Sequence, residues 1–426
     1  MTAGLDAQGR PVVVVTGIGV LTSLGEGVAD NWRALVAGKS GLRRISRFPL
    51  EGLRTTVAGT VDFVPLPAFS TPALSQEIAA RAMAEAVGMA GLGVPGAFPG
   101  PLFLALPPVE LEWPQRRALA GASGAVGPIG YADLLRAAGG GAFAGTYARF
   151  LFASVAEALA ERFGTTGVPI EVSTACASGA TAIQLGVEAI RRGETEAAVC
   201  VGTDASVNVE ALVRFSLLSA LSTRNDPPEG AARPFSKDRD GFVMAEGAGA
   251  LVLESLAHAR ARGAEILGVL EGCGERADSF HRTRSAPDGK PIIECLRRAI
   301  ADAGLAPEEI GYVNAHGTGT PENDKMEWNC LAAVFGARAG SVPVSSNKSM
   351  IGHTLSAAGA IEAVFTLLSL RHGILPPTIN YEVPDPAVPI DCVPNVARPA
   401  DVAHALSNSF GFGGQNVALV IGREPR

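Results

Sequence analysis

Hydrophobic positions along the chain fall into two alternating textures: short β-branched runs with few polar residues, and longer stretches rich in Ala and Leu. The run 11–20 (PVVVVTGIGV) is β-branched, with Thr16 as its one polar residue and glycines near its end, which predicts a buried strand. Helical stretches follow near 27–37 and 76–90, and 101–106 (PLFLAL) predicts a second buried strand. Segment 168–175 (VPIEVSTA) reads as a strand that runs into a helix over 178–193, ended by Gly193. Strands at 197–205 and 249–255 complete a first set. The pattern then restarts with a strand at 264–275, a helix at 291–305, strands at 310–317 and 342–349, and a helix at 356–373 ended by Gly373. Strands at 404–410 and 416–422 close the chain. Strands buried on both faces and alternating with helices predict an α/β fold.

The restart is itself informative. SGATAIQLGVEAIRRG and AAGAIEAVFTLLSLRHG each follow a strand and a small-residue loop, and each ends in Arg-x-Gly. A long, imperfect repeat of this kind is a duplicated domain, not a solenoid. It divides the chain into an N-terminal half, 1–260, and a C-terminal half, 261–426. Halves packed face to face would bring corresponding loops side by side, where a shared site can form.

Composition narrows the class. With 426 residues, 47% hydrophobic and 18% charged, the chain is long and apolar enough for a large core and is not a disordered polymer. A net charge of −7 gives no global attraction to nucleic acid or anionic lipid. The six cysteines form no CxxC and no tight Cys/His cluster, which argues against zinc; their wide spacing argues against a disulfide framework and fits a reducing compartment. No apolar run reaches the roughly 18 residues that span a bilayer. The opening MTAGLDAQGRP lacks the apolar stretch of a signal peptide, so a cytoplasmic protein is expected.

Four segments can carry chemistry. Cys176, in STACASGA, lies between a buried strand and a helix start, where the helix dipole and free backbone N–H groups are expected to favour the nucleophilic thiolate. A buried structural cysteine would look the same from this segment alone. His316, in VNAHGTGTP, sits where a strand opens into a Gly/Thr loop, and Thr318 and Thr320 alternate beyond it. In SSNKSMIGH, Lys348 and His353 occupy the loop that matches the Cys176 loop in the other half. A lysine beside an apolar helix needs a carboxylate, and Glu362, Glu327 and Asp324 are the candidates. The glycine-rich loop in NSFGFGGQN (408–416) can turn its backbone N–H groups toward an oxyanion, or simply be a turn.

Together these segments resemble, in order and spacing, the elongating β-ketoacyl-acyl-carrier-protein synthases with a Cys-His-His site. ALSTRNDPP (220–228), RPFSKDRDGFVMAEGAG (233–249) and LPPTINYE (375–382) extend the resemblance over nearly the whole chain. It implies the thiolase fold, a duplicated α/β/α/β/α five-layer structure, usually a homodimer. It implies that Cys176 holds the acyl chain as a thioester. The N–H groups of Cys176 and Phe412 would form the oxyanion hole, and Phe412 would gate the acyl pocket. His316 and His353 would aim at the malonyl thioester, and Lys348 would order the site with Glu362. Asp324 and Glu327 would support it, while Thr318, Thr320 and Thr283 would contact phosphopantetheine. Acyl carrier protein is the implied partner, with malonyl and acyl thioesters as substrates. No metal or redox cofactor is implied, although related enzymes hold a structural monovalent cation. Two alternatives stay open: a polyketide-type ketosynthase subunit, and a non-catalytic subunit that sets chain length, either of which could form a heterodimer.

The chain departs from the pattern at LALPPVELEWPQR (104–116), where a glycine-rich strand end is usual. Pro107, Pro108 and Trp113 are therefore expected to reshape the acyl pocket. PENDKMEW (321–328) is similar to a divergent α-proteobacterial group, some of whose members make very long acyl chains. Arg214, Arg224, Lys237 and Arg239 are candidates for docking an acidic carrier.

Overall fold

The computed structural model describes residues 4–66, 69–94 and 96–425; the first three residues of the segment read for targeting lie outside these. Ten strands form the main path: β1 Val13–Thr22, β2 Leu102–Ala105, β3 Ile170–Val172, β4 Ala197–Asp204, β5 Gly247–Ser255, β6 Gly268–Ala277, β7 Tyr312–Asn314, β8 Val344–Ser345, β9 His404–Phe410 and β10 Gln415–Gly422. Their order is β8-β7-β9-β10-β6-β1-β5-β4-β2-β3, with a short strand, Gly25–Glu26, added at the end of β1.

The duplication is written into that order. In the first half β1-β5-β4 pair antiparallel and β4-β2-β3 parallel. The second half repeats the scheme with β6-β10-β9 antiparallel and β9-β7-β8 parallel. The halves join along only three residue pairs of β1 and β6, Val13–Val15 against Gly268–Leu270.

Four helices complete the layers: α1 Thr71–Ala90, α2 Ser178–Arg191, α3 Lys290–Asp302 and α4 Ala358–His372. Alternate residues of β5 face opposite ways: Leu251 and Leu253 join the central core, and Ala250 and Val252 an outer one. The outer core of the first half packs Ile78 and Met83 of α1 on Leu102 and Val199. The outer core of the second half packs Leu296 of α3 on Val313, Leu406 and Val420. Ile183 of α2 and Ile361 of α4 fill the space between the two sheets. The result is helix, sheet, helix pair, sheet, helix: the five-layer thiolase-type arrangement. Strands covered on both faces need no polar side, which explains their unbroken apolar runs.

The central helices touch backbone to backbone. A Cβ added to Gly179 would lie 2.5 Å from Ala360 N, and one added to Gly359 would lie 2.4 Å from Ala180 N. No side chain fits there, so glycine at both positions sets how closely the two site-bearing loops approach.

Several elements differ from expectation. α1 starts at Thr71, five residues early, because Ser70 caps it by accepting the Ala73 N–H at 3.3 Å and Pro72 suits its first turn. The strand expected over 342–349 shortens to β8, since 348–351 coils into one helical turn. Four helices between β2 and β3, Trp113–Ala122, Tyr131–Gly139, Ala144–Arg149 and Ser154–Phe163, were not expected from the pattern. Among the described residues no helix is long and apolar enough to cross a membrane.

Candidate active site

Cys176 is delivered by a sharp turn. After β3 the chain passes through Ala175 at φ 50°, a left-handed conformation uncommon for a residue with a side chain, and enters α2 through a 3-10 turn over Ala175–Ala177. Ser178 steadies the turn: its Oγ accepts the Thr174 N–H at 2.8 Å and donates to Ala175 O at 2.6 Å. The glycine-rich loop lies directly over it, and a Cβ on Gly411 would fall 2.7 Å from Thr174 O. Within that loop Gly411 N donates to Gln415 O, Gly413 N to Arg282 O and Gly414 N to Gly411 O. The Phe412 N–H is the one turned to Cys176.

The thiol differs from expectation. Burial pushes the Cys176 thiol up to about 11, against the opposing pull of the Phe412 N–H and the Lys348 charge. Desolvation outweighs the helix start, so the resting group is a thiol.

His316 follows β7, and His353 lies on the loop leading to α4. Their rings meet edge to face at 5.4 Å between centroids, with Phe410 beside His316 and Phe242 beside His353. Each is 2% exposed. Burial, and then the charge of Lys348, hold both well below the ordinary histidine range, so both rings are neutral. The Leu355 N–H donates to His353 Nδ1 at 3.3 Å, which places the His353 proton on Nε2. Lys348 acts on all three groups, favouring a Cys176 thiolate while disfavouring charge on either ring.

Lys348 is itself buried. It donates to His316 O at 2.7 Å and is ion-paired with Glu362, whose carboxyl burial pushes up to about 7. Glu327 accepts the His316 and Gly317 N–H groups at 2.9 and 2.7 Å, and Asn408, which the sequence did not single out, donates to it at 3.0 Å. Asp324 stands one step further out, accepting from Phe235 N and Gly319 N near Arg239. Thr318 and Thr320 share a hydroxyl contact of 3.0 Å, and Thr320 also caps helix Pro321–Phe335. Thr283 lies apart on a surface loop with its hydroxyl 3.3 Å from His281 Nδ1; the neighbouring Arg282 carbonyl holds Gly413. Asn314 Oδ1, Glu362 Oε2 and Asn408 Oδ1 are buried oxygens without hydrogen-bond partners, the hard-donor chemistry an alkali cation takes. Among the described residues there is no group of three or more His, Cys, Asp or Glu suited to a metal ion.

A cavity of about 610 Å³ runs from Cys176 and Phe412 past Leu106, Pro107 and Pro108 to Leu218. Trp113 is not part of its lining; it is exposed, and its backbone N–H donates to the Glu210 carboxylate. Three of the four candidate docking residues are committed elsewhere: Arg214 to Glu110, Arg224 to Asp238, and Arg239, nearly buried, to Asp385. Their partners lie far away in sequence or in an adjoining loop, which a local reading does not weigh.

Comparison with known proteins points one way. The family model described as Beta-ketoacyl synthase, N-terminal domain, matches residues 10–89 and 116–259, and its C-terminal counterpart matches 267–382. The stretch that the N-terminal match skips, 90–115, contains the proline-bearing cavity wall, and the C-terminal match stops before the glycine-rich loop. The chain is 36% identical to 3-oxoacyl-[acyl-carrier-protein] synthase 2 of Coxiella burnetii, covering 96% of this chain and 98% of that protein. It is 37% identical to the tetracenomycin polyketide synthase ketoacyl synthase alpha subunit of Streptomyces glaucescens, covering 96% and 97%. Among solved structures, a type II polyketide ketosynthase in complex with its acyl-carrier protein matches with a TM-score of 0.87 at 32% identity, covering 97% of this chain and 100% of that one. A β-ketoacyl synthase from Burkholderia phymatum matches with a TM-score of 0.82 at 32% identity, covering 97% and 100%.

Proposed function

Because the chain belongs to the β-ketoacyl synthase family, we propose that it condenses a malonyl thioester with an acyl chain held on Cys176, as a β-ketoacyl-acyl-carrier-protein synthase. The observation that carries this reading is the convergence of a thiol beneath a free backbone N–H with two neutral histidines that share one buried lysine.

Each step follows from the groups present. The Cys176 sulfur attacks the acyl thioester; its C–S bond forms, and the carrier thiol leaves with the proton. The Phe412 N–H faces the oxygen that becomes negative in that step, and the Cys176 N–H is its partner donor. The malonyl thioester then enters, and its C–C bond to the carboxylate breaks. CO₂ departs and the electron pair stays as an enolate. Donors aimed at the enolate oxygen stabilise the charge as it develops. Neutral imidazoles suit this task, because they donate a hydrogen bond to the enolate oxygen while being far weaker acids than imidazolium, which would quench the carbanion more readily. The enolate carbon attacks the acyl carbonyl, the bond to Cys176 breaks, and the thiolate takes a proton from solvent. The product is a β-ketoacyl chain two carbons longer.

Several features of this reading are proposals of the same standing. Lys348 and Glu362 fix the His316 carbonyl, Glu327 fixes the loop from below, and Asp324 supports the turn beyond it. Thr318, Thr320 and Thr283 line the approach of phosphopantetheine on an acyl carrier protein. The chemistry itself needs no redox cofactor or catalytic metal. The two halves, 1–260 and 261–426, each contribute one of the matching loops. The protein works in the cytoplasm as a homodimer, or with a related subunit. The test is a condensation assay with malonyl- and acyl-carrier proteins, wild type beside Cys176→Ala. Product that requires Cys176 is expected; equal product from the variant, or none from folded wild type on any chain, would overturn the assignment.

A further inference from the structure

The cavity that starts at Cys176 carries a charge in its wall that the condensation does not use. Asp204 ends β4, is 0% exposed and lines this cavity. Its oxygens are fixed by backbone: Oδ1 accepts the Ser206 N–H at 2.9 Å, and Oδ2 the Ser356 N–H at 3.0 Å. Val207 and Leu355, the chain neighbours of those two serines, pack in one apolar cluster with Cys176 and Phe412. The carboxylate is thus anchored by both segments that pack against the nucleophile, beside the space an acyl group on Cys176 enters. Its field reaches the sulfur, where it disfavours the thiolate.

Burial pushes the Asp204 carboxyl up to about 6, against the pull of its hydrogen bonds, which leaves it an anion at neutral pH. The lining offers that anion no counter-charge. Among the described residues the lining holds one cation, Arg214, which is ion-paired with Glu110, while Glu112 and Glu210 add further carboxyls. Lys348 also acts on Cys176, but it is not part of the lining and is paired with Glu362. A second anion brought into this cavity would lose its water, meet like charge and find no partner. Asp204 needs no contact to act, because repulsion between buried like charges extends over several ångströms. A ketosynthase meets two thioesters and must tell them apart. The malonyl group carries a carboxylate two bonds from its thioester carbonyl. Transferred to Cys176, it would place that carboxylate in the part of the cavity that Asp204 lines.

We propose that Asp204 is a specificity-determining residue that keeps malonyl groups off Cys176, so that the cavity loads only acyl groups without negative charge near the thioester. The proposal rests on the ketosynthase reading and adds to it how the first substrate is told from the second. The step it blocks is transfer of malonyl from the carrier thiol: the bond to the Cys176 sulfur forms, the bond to the carrier sulfur breaks, and the Cys176 proton leaves with the carrier thiol. The test follows loading of Cys176 by intact-protein mass from butyryl, malonyl and malonamyl thioesters of pantetheine. Malonamyl has the shape of malonyl with a neutral amide in place of the carboxylate, and mass separates a malonyl adduct from acetyl left by loss of CO₂. In the wild type, butyryl and malonamyl should load at least about tenfold faster than malonyl. Asp204→Asn should narrow the malonamyl-to-malonyl ratio by about tenfold, and Asp204→Glu, which keeps the charge, should retain it. Loss of the Asp204 charge favours the Cys176 thiolate for every thioester, and the ratio cancels that gain. If Asp204→Asn does not fold, Asp204→Ser, smaller and neutral, takes its place. Malonyl loading as fast as malonamyl in the wild type, or a ratio that removal of the charge leaves unchanged, would overturn the proposal and leave the ketosynthase reading standing. Failure of folded wild type to load Cys176 from any of the three would overturn both.

Discussion

Replacing Gly179 with alanine sets two well-calibrated effects against each other. By helix propensity alone Gly179→Ala should stabilise the protein by about 0.8–1 kcal/mol. By packing it should do the opposite, because the new Cβ would lie 2.5 Å from Ala360 N. Comfortable contacts lie at about 3.5–4.0 Å, so α2 and α4 would have to part by about 1 Å. Such overpacking costs about 1–3 kcal/mol. Gly88→Ala, on the exposed side of α1 with nothing within 4 Å of its Cβ, is the internal control, since it gains the propensity and meets no neighbour. Comparing the two variants by urea unfolding cancels propensity and leaves packing, so Gly179→Ala should be the less stable by about 1–3 kcal/mol. Catalysis should suffer further. α2 begins immediately after the Cys176 turn and α4 follows the His353 loop, so parting them displaces Cys176 from the two histidines. A displacement of about 1 Å lowers the condensation rate by about 100-fold. A Gly179→Ala protein as stable as Gly88→Ala and fully active would refute the claim that this contact sets the site.

Two further outcomes follow from the electrostatics. With its thiol raised to about 11, Cys176 should be alkylated by iodoacetamide about tenfold faster per pH unit between about pH 7 and 10; a plateau below pH 8 would show that the resting group is already a thiolate. Glu362→Gln should cost about 3–5 kcal/mol in urea unfolding by stranding the buried Lys348 charge, and removing both together with Lys348→Met and Glu362→Leu should recover most of it. A loss below about 1 kcal/mol for Glu362→Gln would mean that the pair is not the anchor it looks to be.

What could be seen in the sequence is whatever is local. The STACASGA turn, the strand-to-loop exit at His316 and the glycine-rich loop are each defined within ten residues, and their elements formed where the pattern placed them. The repeated helix endings foretold the repeated strand order. Features set by distant partners were not legible. The thiol's raised pKa depends on burial by loops from both halves, and Arg214 looked free because Glu110 is 104 positions away. The helices between β2 and β3 were missed although Tyr131–Gly139 and Ser154–Phe163 are amphipathic, because the glycines scattered between 121 and 145 read as helix breakers. Gly179 and Gly359 look like ordinary small residues until the two helices are seen in contact.

The matching turns carry one more consequence. Leu355 repeats the left-handed conformation of Ala175, and a 3-10 turn again leads into the helix, so Ser356 stands where Cys176 stands in the first half. The Ser356 N–H, counterpart of the Cys176 N–H, donates to Asp204 at 3.0 Å. The protein thus holds a carboxylate oxygen where the reacting thioester's oxygen would sit in the other half. This silent turn is a resident cast of the active one, a built-in standard against which the fit of any ligand oxygen at Cys176 can be measured. Leu355, Ser356 and Asp204 line the same cavity as Cys176, so the two turns, one holding a carboxylate oxygen and one open, face a common space.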